Sequence, residues 1–183
     1  MISTTAHAES GVAPAASAWR PVATQPTTVL CLRHTGAYAD RIETWKALTG
    51  YLFERGLCGP KTVAVGVLYD DPATTPDDKV RFDACLSVTP DAASRFVVSD
   101  AEAARLAVRL DVILDDGWLL YCSAQDGSQQ TTAWASGTET APWVRGDEPL
   151  PTPIYQLFPH SPAFLPQQAA AVGYFVPLTG VAR

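Results

Sequence analysis

The stretch Val63–Val88, VAVGVLYDDPATTPDDKVRFDACLSV, decides how the chain folds. Its β-branched apolar run stops at Asp70-Asp71-Pro72, crosses the polar segment Thr74-Thr75-Pro76-Asp77-Asp78, and resumes as Arg81-Phe82-Asp83-Ala84-Cys85-Leu86-Ser87-Val88. Branched apolar side chains suit a pleated surface, while Asp and Pro satisfy or fix the backbone of turns, so the stretch predicts two strands and a short connection. The same skeleton returns near the C-terminus: Ile154–Phe158, then Pro162 and Pro166, then Val172–Leu178. Pro72 and Pro76 fall on Pro162 and Pro166 with one constant offset, which predicts an internal duplication.

Outside this pair of strands, composition sets the limits. The chain has 183 residues, of which 47% are hydrophobic and 17% charged, enough for one sizeable core or two small lobes sharing one. A net charge of −6 argues against a nucleic-acid surface, because neutralising phosphates requires clustered Lys and Arg. Residues 1–24 are rich in Ala, Ser, Thr and Pro without apolar periodicity and read as a flexible leader; no basic n-region and apolar h-region mark a secretory signal. No segment is long and apolar enough to span a membrane. Cys31, Cys58, Cys85 and Cys122 show neither a C-x-x-C pair nor His at metal-ligand spacing, which predicts reduced thiols in a cytoplasmic protein and no metal or other cofactor.

Val29–His34 reads as a strand that breaks at Thr35-Gly36. From Tyr38 to Arg55, Ile42, Trp45, Leu48, Tyr51 and Leu52 recur at three- and four-residue steps with Arg41, Glu43 and Lys46 between them, predicting an amphipathic helix. Gly56 should end it, with Leu57 packing back on the last turn. In the second half, Arg105–Asp111 reads as a strand, although residues 100–104 would equally start a helix. Leu114, Trp118, Tyr121 and Cys122 mark the face of a second helix, with Asp115 and Asp116 in its first turn. Residues 129–153 are polar and rich in Gly, Thr and Pro yet carry Trp134 and Trp143, and read either as a lid or binding loop or as a partly disordered stretch.

The segment Leu32-Arg33-His34-Thr35-Gly36-Ala37-Tyr38, the helix holding Trp45 and Leu48, Tyr69–Pro76 and Arg81–Cys85 together resemble the GyrI-like small-molecule-binding domain, also the effector-binding module of AraC- and MerR-type multidrug regulators. The resemblance implies an α+β fold: a duplicated strand-helix-strand-strand unit with pseudo-twofold symmetry, an antiparallel sheet, two main helices and a ligand groove between the lobes. The repeats would span residues 27–90 and 100–180 within a single domain, 25–183. In the family pattern, a Glu before the second proline pair faces the groove and pairs with cationic ligands. Here that position is Gln156, with Phe158 two residues on and hence on the same strand face. An amide offers donors and acceptors but no charge, so a neutral, planar or hydrogen-bonding ligand is expected at least as much as a lipophilic cation.

The expected ligand-binding residues are therefore Tyr38, Trp45, Tyr69, Trp118, Trp134, Gln156 and Phe158, the aromatics serving either as stacking surfaces or as core. No nucleophile elbow, zinc helix, phosphate loop or dinucleotide fingerprint is present. Asp70-Asp71 and Asp77-Asp78 fit turn capping, and His34 a local hydrogen-bonding role. The leading expectation is a stand-alone module binding a hydrophobic aromatic small molecule, with no direct nucleic-acid or membrane partner. One alternative is a hydrolase of cyclopropane-containing DNA-alkylating natural products, as some family members are, with Asp111 or Asp115 standing in for the missing Glu. The other is a protein inhibitor of the gyrase-inhibitor type.

Overall fold

The computed structural model describes residues 20–72, 74–96, 101–114, 117–123, 144–145, 148–149, 153–158, 161–163 and 173–177. Val63–Val88 folds as expected. Ala64–Leu68 (β3) and Arg81–Ser87 (β4) form an antiparallel pair, with Gly66 opposite Ala84. The connection between them is held by Asp70, whose carboxylate accepts from the Arg81 backbone N–H at 3.0 Å and from two Arg81 guanidinium N–H groups at 2.8 Å. Asp70, the first of the acidic pair at this turn, thus caps backbone and binds one arginine.

Thr27–Thr35 (β2) lies on the other side of β4, and a single 3-10 turn, Tyr38–Asp40, leads into Arg41–Glu54 (α1). Trp45, Leu48, Tyr51 and Leu52 are buried on one face of α1, and burying each contributes roughly 2 to 3 kcal/mol, which docks the helix on the sheet. Its end follows the predicted logic. Gly56 takes a positive φ of 59°, its N–H donates to the Phe53 carbonyl, the Leu57 N–H donates to Leu52, and Leu57 is buried.

Arg20–Thr24 (β1) corrects the leader boundary: these residues form a strand paired along Gly117–Ser123 (β6). Two more expectations change in the second half. Arg105 and Leu106 end a short helix, Ala101–Leu106 (α3), which follows another, Pro90–Arg95 (α2), and the strand begins later as Arg109–Ile113 (β5). The expected helix face Leu114, Trp118, Tyr121 and Cys122 falls largely on β6. A short apolar run rich in aromatics suits a strand with two partners as well as a helix, and β6 has both β1 and Gly173–Pro177 (β10) beside it. Val144–Arg145 (β7) and Glu148–Pro149 (β8) form a small separate pair, and Ile154–Phe158 (β9) completes the main sheet.

That sheet is antiparallel at each recorded pairing, in the order β1-β6-β10-β9-β3-β4-β2-β5, and the protein is α+β. Its registers repeat. Gly66 opposite Ala84 reappears as Gln156 opposite Tyr174, and Cys31 opposite Cys85 as Tyr121 opposite Phe175, each a displacement of 90 residues. The outer strands cross over: β1 pairs with β6 and β5 with β2, so each end of the chain order closes the opposite half. One sheet face, carrying Leu30, Ala64, Leu68, Phe82, Leu86, Ile154 and Phe158, packs against α1. The other carries a smaller cluster, Val29, Cys31, Val65, Val67, Cys85 and Ile113.

Candidate functional site

The halves meet along β3 and β9, and at the centre of that ladder Gly66 faces Gln156. These two positions are themselves 90 residues apart, so the register that relates the halves passes through this pair. Gln156 is fully buried on the α1 side of the sheet, and its Oε1 accepts from the Tyr38 hydroxyl at 3.0 Å. Glycine opposite is a packing requirement: a Cβ at residue 66 would lie 2.8 Å from Phe82 Cε2 and 3.1 Å from Gln156 Oε1. Phe82 fills the space above Gly66 and meets two rings edge-on, Tyr38 at 5.9 Å and Trp45 at 5.9 Å between centroids. Trp45 in turn meets Phe158 at 5.7 Å.

Two polar atoms in this aromatic nest have no hydrogen-bond partner among the described residues: the Gln156 amide nitrogen and the Trp45 indole nitrogen. Both are donors. Leaving a buried donor unsatisfied costs about 1 to 3 kcal/mol. Arg41, 2% exposed, stacks its guanidinium 3.8 Å from the Tyr38 ring centre and donates to the Tyr38 carbonyl at 2.8 Å. A guanidinium is also purely a donor.

The structure thus brings together Tyr38, Trp45, Gln156 and Phe158. Strand alternation placed Gln156 and Phe158 on one face correctly, though both are buried beneath α1. Tyr69 is elsewhere, packed against the smaller cluster on the opposite sheet face. Trp118 lies in β6 opposite Ala23, and Trp134, like Trp143, falls outside the described residues. Asp111 ion-pairs with Arg109 at 3.6 Å and lies opposite Val29, which belongs to that same far cluster, and Asp115 falls outside the described residues. Gly66, Phe82 and Arg41 were missed. Phe82 and Gly66 stood in the repeat but read as ordinary strand positions, and Arg41 read as a polar-face residue.

A sequence model described as the GyrI-like small molecule binding domain matches residues 22–109. Those residues belong to the GyrI-like family. No curated protein matches the chain in sequence. Among solved structures, the C-terminal domain of EcmrR is similar over 89% of this chain and 96% of that one, at 10% identity and a TM-score of 0.53. EcmrR in its complex with DNA is similar at 9% identity and a TM-score of 0.52, and there the match spans only 57% of the EcmrR chain. At such identities the likeness establishes the fold. The GyrI-like segment contains β2, α1, β3 and β4, and so supplies Tyr38, Trp45, Gly66 and Phe82; Gln156 and Phe158 come from beyond it.

On its far face, the GyrI-like sheet carries a second polar centre. Asp83 is fully buried and accepts from Arg33, from the Tyr69 hydroxyl at 2.7 Å and from Arg109. Burial pushes its pKa up, but hydrogen bonds from Arg33, Tyr69 and Arg109 outweigh that and hold the carboxylate below its ordinary value. Tyr69 moves the other way, raised by burial and by donating to Asp83. Its partners and the Arg33 guanidinium 4.5 Å above its ring account for Tyr69 structurally. His34 is likewise a local bridge between the Ala37 carbonyl, at 3.0 Å, and Thr44, at 3.1 Å. A surface cleft of about 460 Å³ near the C-terminal end of α1, bordered by Leu57, Cys58, Lys61, Val88 and Arg95, contains none of the expected ligand residues. No described helix is long and apolar enough to cross a membrane, and no group of three or more His, Cys, Asp or Glu is placed to hold a metal among the described residues.

Proposed function

We propose that the chain binds a neutral, planar aromatic ligand carrying a hydrogen-bond acceptor, seated at Gln156 between α1 and the sheet. The observation that carries this reading is the buried Gln156 amide: its oxygen is taken by Tyr38 and its N–H has no partner among the described residues. An acceptor on the ligand completes the Gln156 amide, with Trp45 as a second donor and Phe82 and Phe158 as edge and face surfaces. A lipophilic cation gains nothing from donors and finds no full negative charge at residue 156. Because Gln156 and Phe158 are fully buried, α1 shifts to admit the ligand, breaking ring contacts worth about 0.5 to 1.5 kcal/mol each that ligand stacking restores. The two repeats, 27–90 and 100–180, arise in this reading by duplication; the constant displacement of their ladder registers supports it. Free buried thiols at Cys31 and Cys85 suit a reducing, cytoplasmic setting.

The test is a tryptophan-fluorescence titration against neutral acceptor-bearing aromatics and lipophilic aromatic cations of matched size, with each ligand's mass measured after incubation. Saturable quenching by the neutral set, at least tenfold tighter than by the cations, with ligands recovered unchanged, is the expected outcome. A ligand recovered with one added water would replace binding by hydrolysis. Silence toward both sets would point to a protein partner instead.

A further inference from the structure

Cys31 and Cys85 are directly opposite each other in the β2 and β4 ladder, both fully buried, with their sulfurs 2.7 Å apart. Neither belongs to the Gln156 site; both lie in the cluster on the other sheet face. Facing residues of an antiparallel pair have Cα atoms about 4.5 to 5.5 Å apart, within the range a disulfide bridges, so joining these sulfurs requires no displacement of either strand. Cys31 is also flanked in its ladder by Arg109 on β5, so the pair sits between two strands and beside a guanidinium. A two-sulfur metal site is a poor fit, because a cation held between two thiolates at ordinary metal–sulfur lengths would force the sulfurs well beyond this separation.

We propose that Cys31 and Cys85 are a reversible dithiol–disulfide pair, oxidised by a small peroxide that enters when the sheet opens locally. One thiol, as its thiolate, attacks a peroxide oxygen of hydrogen peroxide; the O–O bond breaks, hydroxide leaves and takes up a proton, and the sulfur becomes a sulfenic acid. The second thiol gives up its proton and attacks that sulfur, the S–O bond breaks, and water leaves. Two thiols and one peroxide yield one disulfide and two waters. Burial, followed by the hydrogen bond with Cys31, raises the pKa of the Cys85 thiol, which keeps the closed pair reduced and slow to react. The bond closes the chain between positions 54 residues apart, a segment holding α1 and β3, and so steadies the half that supplies Tyr38, Trp45 and Phe82.

The experiment exposes the full chain to hydrogen peroxide, alkylates remaining thiols under denaturing conditions, and maps linked peptides by mass without reductant. The expected result is a peptide pair joined through Cys31 and Cys85, a loss of two hydrogens in mass, and a thermal midpoint raised by about 10 °C that dithiothreitol reverses. Cys85→Ser and Cys31→Ala should each abolish the linked peptide and the reversible shift. Because linkage is read on the unsubstituted chain, a variant that fails to fold leaves the test intact. Recovery of Cys31 and Cys85 as alkylated thiols, as separate sulfinates, or each bridged to Cys58 or Cys122 would overturn the proposal.

Discussion

Asp83 is one carboxylate with donors drawn from three separate strands or their ends: Arg33 in β2, Tyr69 just after β3 and Arg109 in β5. Removing its charge leaves Arg33 with the Tyr69 ring and Arg109 with Asp111 at 3.6 Å as their remaining partners on that face. Breaking a buried ion pair costs about 3 to 5 kcal/mol, and with both arginines more than a third exposed the expected loss for Asp83→Asn is about 2 kcal/mol in urea denaturation. The sign with pH follows from the lowered pKa. The folded state binds this proton less readily than the unfolded state, so the contribution is complete above about pH 4 and drains away as the pH falls through the folded value. Asp83→Asn should therefore flatten the acid limb of the stability profile; an unchanged limb would remove Asp83 from its cause. None of this was legible from the sequence, because partners 50 and 26 residues away become neighbours only through the sheet. Gln156 and Phe158 were legible, since alternation fixes relative direction within a strand. Arg41 was not. A charged residue between apolar positions reads as exposed, yet the 3-10 turn preceding α1 brings the Tyr38 ring over its guanidinium and buries it.

At the level of elements, α1 was readable from end to end because period, breaker and capping signal agree. Gly56 adopts the backbone conformation its neighbours require, and Leu57 closes the turn. Helix α3 ends in the same hydrogen-bond pattern, with Ala107 N–H to Ala104 and Val108 N–H to Ala103, but without glycine: Ala107 carries the positive φ of 58°. That missing signal is why the strand after it was placed too early. It also yields a stabilising change. Ala107→Gly should raise stability by about 0.5 to 1 kcal/mol, since the left-handed conformation costs a side-chain-bearing residue roughly 1 to 2 kcal/mol and glycine returns part of that as chain entropy. A thermal midpoint unchanged or lowered by this substitution would show that the cap is not strained. Strand β6 failed for a different reason. Its apolar residues fall at spacings compatible with both periods, and only its two neighbours, themselves a strand from the supposed leader and one from the C-terminal region, decide for the extended form.

For the whole molecule, the 90-residue offset seen between the proline pairs in the sequence recurs in the registers of the sheet. Inner strands keep a single displacement across both halves while the outer strands trade places, which ties the N-terminal strand to the second half. The pair Gly66 and Gln156 stands where the halves meet, one with no side chain and one with an amide folded over it. The seam thus carries a single amide, enclosed by rings from both halves. The recognition account rests on the chemistry of that amide. It is tested most directly by measuring, through tryptophan fluorescence, the affinities of the unsubstituted chain and of Gln156→Glu for one neutral acceptor-bearing aromatic and one lipophilic cation of the same size. The account predicts that the unsubstituted chain prefers the neutral ligand and that Gln156→Glu reverses the order, each affinity moving by about tenfold, or about 1.4 kcal/mol. The same ranking in both proteins would contradict it.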